Sequence, residues 1–197
     1  LSANEEAAER FRREARAAVK IKSEHVARVL DVGTMQGGVP YMVMEYMEGR
    51  DLSIELEQRG SLEVSEAVGY VIQACEAIAE AHSVGIVHRD LKPANLFLTQ
   101  RADGSQLIKV LDFGISKSLS GSAVSDMSLT RTSAIVGSPL YMSPEQTGQS
   151  ALDVDTRSDI YSLGVLLYEL LTGTTPFDKE RLHSVGYDEM RRIIREE

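Results

Sequence analysis

The sequence predicts an α+β fold, and three observations carry that prediction. Residues 5–22 are rich in Ala, Glu and Arg and contain neither Pro nor Gly, so strong helix formers dominate there. Apolar, β-prone runs come in two pairs, 26–32 with 40–46 and 96–98 with 107–111, each joined by turn-forming residues. Two longer segments, one starting at Ser65 and one at Asp159, carry enough apolar residues to serve as core helices.

Taken in order, the first helix occupies 5–22, and the hairpin after it turns through Gly33, Gly37 and Gly38. From Ser65, a candidate N-cap, Val68, Val71, Ile72, Cys75, Ile78 and Ala79 recur at helical spacing until Gly85 ends the run. That stripe assigns Cys75 to the core. The second hairpin turns over 99–105. Residues 116–138 are rich in Ser, Thr and Gly, too long and polar for an ordinary connection, and so are either functional or mobile. Residues 159–171 are apolar nearly all round, the pattern of a helix buried on every side, with Gly173 and Pro176 as stop signals. A last helix runs over 187–197, and no internal repeat occurs.

The 197 residues, 43% of them apolar, fit one globular domain with its own core. Lys plus Arg number 21 against 30 Asp plus Glu, a formal net charge of −9. That balance weighs against nucleic acid as a partner, since phosphate binding rests on clustered cations. A single cysteine excludes an internal disulfide or a Cys-based zinc site and suits a reducing, cytoplasmic location. No segment reaches the roughly 18 consecutive apolar residues of a membrane helix; 160–171 is interrupted by Ser162, Gly164 and Glu169. The expectation is no membrane contact from this segment. The start, Leu1-Ser2-Ala3-Asn4, has neither an initiator Met nor an apolar signal region, and reads as a cut into a longer protein.

Two polar clusters fall at the ends of predicted elements. His88-Arg89-Asp90-Leu91-Lys92-Pro93-Ala94-Asn95 follows the long helix, and Asp112-Phe113-Gly114 follows the last hairpin strand. The four fixed residues of H-R-D-x-x-x-x-N arise by chance in roughly one chain of this length in 800. In this order and placement the clusters resemble the catalytic and metal loops of the protein kinase superfamily. Residues 137–145 resemble the substrate-docking loop and the A-P-E end of its activation segment, and Arg157-Ser158-Asp159 opens a stretch similar to the buried central helix of its large lobe.

The resemblance implies a protein-kinase-like bilobal fold. Residues 1–47 would form a partial small lobe of one helix, two strands and the hinge, and 48–197 most of the mainly helical large lobe without its last helices. It implies a Ser/Thr protein kinase of the bacterial eukaryotic-type kind, using ATP and Mg²⁺ on protein substrates. Asp90 would accept the proton of the attacking hydroxyl, Lys92 would balance charge on the γ-phosphate, and Asn95 and Asp112 would hold the metal. Lys92 followed by Pro93 marks Ser/Thr specificity in the family. Met44 is implied as gatekeeper, Glu45-Tyr46-Met47 as the adenine-binding hinge, Phe97 as the adenine floor and Glu14 as the helix glutamate that pairs with the phosphate-binding lysine. Thr130 and Thr132 resemble autophosphorylated positions, reached through self-association, with Arg89, Lys117 and Arg10 gathering round the phosphate. His25, His82 and His183 read as ordinary helix or loop histidines.

Two family parts are absent from the sequence. No G-x-G-x-x-G occurs, and residues 1–13, where the ATP-anchoring lysine would precede Glu14, contain no lysine. The expectation is therefore a kinase fragment that is inactive alone. The alternatives are a pseudokinase scaffold, against which the intact Asp90, Asn95 and Asp112 speak, and a small-molecule phosphotransferase, against which the long activation segment speaks.

Overall fold

The computed structural model describes residues 9, 11–12, 15, 18–36, 38–113, 139–148 and 154–197, with the His183 side chain left out. Residues 9, 11, 12, 15 and 18 are helical, and Ile21 N–H already bonds the Ala18 carbonyl at 3.1 Å, so the leading helix ends before Lys22. Phe11, Ala15 and Ala18 form its buried face, packed against Val29, Val32 and Met42 of the hairpin.

Strands β1 (Val29–Thr34) and β2 (Pro40–Met44) pair antiparallel, from Val29 opposite Met44 to Thr34 opposite Pro40, with an irregularity between Val29 and Asp31. The first strand begins three residues later than its apolar run. Val26 bridges Val110, Ala27 N–H bonds the Val110 carbonyl at 3.1 Å, and Val110 N–H bonds the His25 carbonyl at 2.8 Å. The second sheet thus claims this backbone before the hairpin does.

That second sheet is antiparallel in the order β3 (Arg50–Asp51), β4 (Leu96–Gln100), β5 (Gln106–Val110). Gly49 enters it at φ 143°, and a Cβ there would lie 2.1 Å from the Leu98 carbonyl oxygen. Both facts demand glycine. Gly49→Ala is expected to destabilise the fold by more than about 1 kcal/mol, read as a lower denaturation midpoint. An unchanged midpoint would contradict the close approach.

The structure adds helix α1 (Leu52–Arg59), which the apolar pattern does not mark. Asp51 caps it by accepting from Ser53 N–H at 2.9 Å and Ile54 N–H at 3.2 Å, and Gly60 closes it with its N–H on the Leu56 carbonyl at 2.8 Å. Helix α2 (Val64–Ser83) starts one residue before Ser65, with Glu63 at the cap position and no side-chain cap bond. Its buried face is Ala67, Tyr70, Val71, Ala74, Ala77, Ile78 and Ala81. Cys75 is exposed, as are Val68, Ile72 and Ala79, so the stripe assigned from spacing is rotated from the true one. The alanines of this face let α2 approach β5 and α3 (Thr156–Thr172) closely, with Tyr70, Val71 and Ile78 filling the rest of it and Val68 and Ile72 turned outward.

Helix α3 begins at Thr156, three residues before Asp159, because Asp155 caps it by accepting the Arg157 N–H at 2.8 Å. Gly173 ends it in the left-handed region. It is not buried on every side, for Ile160 and Tyr168 are exposed. A short helix α4 (Lys179–Ser184), also unmarked by the apolar pattern, precedes α5 (Tyr187–Glu196), which matches the expected last helix. The main core joins Leu52, Tyr70, Ile78, Leu91, Leu96 and Leu166 with their neighbours, while a separate cluster holds Leu140 against Leu182, Met190 and Ile193. Among the described residues no helix is long and apolar enough to cross a membrane.

Candidate active site

Residues 84–95 leave α2 and fold back over the core, anchored by their own buried Leu91 and Pro93, and a short 3-10 turn, Pro93–Asn95, leads into β4. Within this loop Asp90 Oδ2 accepts from Lys92 Nζ at 2.9 Å and from Asn95 Nδ2 at 3.3 Å. Asn95 Nδ2 also donates to the Asp90 carbonyl at 2.7 Å. The amide nitrogen is thus committed, and no hydrogen bond among the described residues uses the Asn95 Oδ1.

Asp112 is joined to this loop through its neighbour. Leu111 N–H bonds the Asn95 carbonyl at 2.9 Å, and His88 Nε2 donates to the Leu111 carbonyl at 2.8 Å. The other ring nitrogen, Nδ1, accepts the Asp90 N–H at 3.2 Å, so one neutral tautomer serves both contacts. Burial holds His88 below the ordinary imidazole range, with the Asp159 charge opposing it. Its ring stands 4.9 Å from that of Phe113. Asp112 itself is exposed, takes φ 54°, and has no hydrogen-bond partner among the described residues. A left-handed aspartate costs on the order of 1–3 kcal/mol, so the surrounding bonds over-determine it.

The loop is anchored from below by Asp159, a wholly buried carboxylate on α3. Its Oδ2 accepts the His88 N–H at 2.8 Å and faces His82 Nε2 at 2.7 Å, while Oδ1 accepts the Arg89 N–H at 2.8 Å. His82 is therefore no ordinary surface histidine. His25 is also buried, with Nδ1 3.0 Å from the Ile108 carbonyl oxygen, which joins the segment before β1 to β5.

Of the hinge positions, Met44 ends β2, Glu45 and Met47 follow it, and Phe97 lies on β4 beside the Gly49 backbone. Glu45 is held by Lys109 Nζ at 2.6 Å and by the Arg28 N–H at 2.9 Å. Partial burial works against its charge, but Lys109 and Arg28 prevail and keep it below the usual carboxylate range. The Glu45 N–H is spent on the Arg28 carbonyl at 2.9 Å, whereas no hydrogen bond among the described residues uses the Met47 N–H.

Past the site, the 3-10 turn Pro139–Tyr141 sits on α3. Tyr141 OH donates to Glu169 at 2.5 Å and Ser162 Oγ donates to the Tyr141 carbonyl at 2.8 Å. Burial holds Glu169 above the ordinary carboxylate range, despite the tyrosine bond that pulls it down. Glu145 accepts from Ser158 Oγ at 2.6 Å.

Asp90, Lys92, Asn95 and Asp112 are thus brought together, with the hinge residues at the junction of the two sheets. Glu14, Arg10, Gly114, Lys117, Thr130 and Thr132 lie outside the described residues. Sequence reasoning gave no site role to Asp159 or His82. The available signal was a charged residue near the start of an otherwise apolar helix.

The protein kinase domain family matches residues 1–197. The chain is 41% identical to the serine/threonine-protein kinase pkn3 of Myxococcus xanthus over 187 residues, 95% of this chain and 33% of that protein. To the serine/threonine-protein kinase PknB of Mycobacterium tuberculosis it is 40% identical over 185 residues, 92% of this chain and 28% of that one. The chain therefore spans about a third or less of these curated relatives. Among solved structures, a double mutant of the Mycobacterium tuberculosis PknI kinase domain superposes with a TM-score of 0.69 at 28% identity, covering 96% of this chain and 67% of that one.

Proposed function

The chain belongs to the protein kinase domain family, and from that premise we propose that it carries the catalytic segment of a bacterial serine/threonine protein kinase, which transfers the ATP γ-phosphate to Ser and Thr hydroxyls of proteins. The observation that carries this is the hydrogen-bonded unit of Asp90, Lys92 and Asn95, joined to Asp112 through Leu111. In that unit Asp90 takes the proton of the acceptor hydroxyl, and Lys92, 2.9 Å away, keeps its carboxylate oriented and presents a cation beside it.

The donor set fits magnesium. Asp112 offers a carboxylate and Asn95 an amide oxygen, both without hydrogen-bond partners among the described residues. Those residues contain no group of three or more His, Cys, Asp or Glu that would form an all-protein cage. Magnesium favours such sparse oxygen sites, where phosphate and water complete the shell. When bound, Mg-ATP supplies the transferable phosphoryl group and the counter-charge for its oxygens. The Met47 N–H and the Phe97 ring are the groups proposed to receive the adenine.

The division into a small-lobe part over 1–47 and a large-lobe part over 48–197 belongs to the same reading, as do Glu14 as partner of the phosphate-binding lysine and phosphorylation of Thr130 and Thr132 sensed by Arg89 and Lys117. The test is incubation of the full-length protein bearing this chain with Mg-ATP and a Ser/Thr peptide. Phosphate is expected on the peptide and, by mass spectrometry, on Thr130 and Thr132. No transfer to any hydroxyl would overturn the kinase reading, and an active enzyme with both threonines unmodified would remove the switch.

A further inference from the structure

Arg89, the residue before the proposed base, is one of only two non-glycine residues with positive φ among those described, at 66°. A bulky side chain avoids that region unless its peptide is gripped on both sides. One grip is the Asp159 Oδ1 bond to the Arg89 N–H. The other comes from Gln146, 57 residues on, whose Nε2 donates to the Arg89 carbonyl at 2.8 Å.

The orientation of that amide is fixed. Gln146 Oε1 accepts the Ser143 N–H at 3.0 Å, with Ser143 Oγ at 3.2 Å, closing a capping box on the turn Pro144–Thr147. With the oxygen committed to a donor, only the nitrogen can face Arg89. Glutamate would fill the cap as well and is the usual residue there, but its carboxylate would oppose the Arg89 carbonyl oxygen. The cap alone does not call for glutamine; the second bond does.

We propose that Gln146 is a positioning residue for the reaction, holding the Arg89–Asp90 peptide so that the Asp90 carboxylate points at the acceptor hydroxyl, and coupling the end of the activation segment to the catalytic loop. This rests on the kinase reading above. It reaches Asp90 only through the backbone.

The test is Q146E in the full-length protein, beside wild type and D90N. Q146E keeps the turn and its cap, so the melting temperature and the KM values for ATP and peptide are expected near wild type, while kcat falls by about tenfold. As pH is lowered through the carboxyl range, the Q146E to wild-type ratio of kcat should climb, because a protonated glutamate regains a donor for Arg89. Hydrogen exchange of peptides spanning 87–91 should quicken in Q146E, with those over 144–147 unchanged. A Q146E enzyme with wild-type kcat at every pH, or a loss of stability matching the loss of kcat, would overturn the proposal. If wild type transfers no phosphate, the kinase reading fails instead, and the exchange experiment still decides whether Gln146 holds the loop.

Discussion

Asp90→Asn is expected to cut turnover by roughly 10² to 10⁴ while leaving nucleotide affinity nearly unchanged, in line with what a general base contributes. Asparagine keeps the volume, but only one of its side-chain atoms can accept a bond, and Lys92 and Asn95 both present donors to Oδ2 in the native loop. The proton acceptor is lost and the fold is not. Asp112→Ala should behave oppositely, losing Mg-nucleotide binding, because that carboxylate has no hydrogen-bond partner among the described residues. Steady-state kinetics with nucleotide titration separates the two. Equal loss of nucleotide affinity in both variants would contradict the assigned roles.

Asp159→Ala should be among the most damaging single changes outside the reacting groups. It would strip the acceptor from the His88 and Arg89 N–H groups and from His82 at once, deep in the core. Each buried donor left without a partner costs about 1–3 kcal/mol, so the loss should reach on the order of 3 kcal/mol or more. Since that variant can fail to accumulate, Asp159→Asn is its companion. It keeps the shape but replaces one accepting oxygen with a donor facing an N–H. Denaturant titration should show the smaller loss, and turnover should fall with it. Wild-type stability and turnover in both variants would show that the loop does not depend on this anchor.

What the sequence revealed and what it hid divide along chain distance. Asp90, Lys92 and Asn95 lie within six residues of one loop, and such spacing is legible because local backbone geometry fixes it. The supports are not local: Asp159 meets Arg89 across 70 residues and Gln146 meets it across 57. Only folding brings them together. The hairpins and long helices were readable to within a few residues because turn formers bound them. Helix α1 was not, since its buried residues include Glu55, a charge tied to Arg50 and Arg59. Periodicity counts apolar side chains and is blind to a buried carboxylate held by arginines at the surface. On α2 it failed in part for another reason: apolar residues occupy too much of the circumference, so Val71 and Ile78 are placed rightly, whereas packing buries Ala67, Tyr70, Ala74, Ala77 and Ala81 in place of Val68, Ile72, Cys75 and Ala79.

The small cluster around Phe11, Ala15 and Ala18 packs against the hairpin and is separate from the main core. Asp90, Asn95 and Asp112 hang from that main core, while Met44 ends the hairpin and Glu45 is tied back to β5 by Lys109. The hinge side and the Asp90–Asn95 loop therefore rest on separately packed clusters, so a substitution at Phe11, Ala15 or Ala18 is expected to reach Met44 through Met42 and leave the Asp90–Asn95 hydrogen bonds in place. On the kinase reading proposed above, the groups that would receive the nucleotide base and those that would hold the metal and the acceptor proton are thus supported by different packing, and core substitutions in one cluster should move one set of constants without the other.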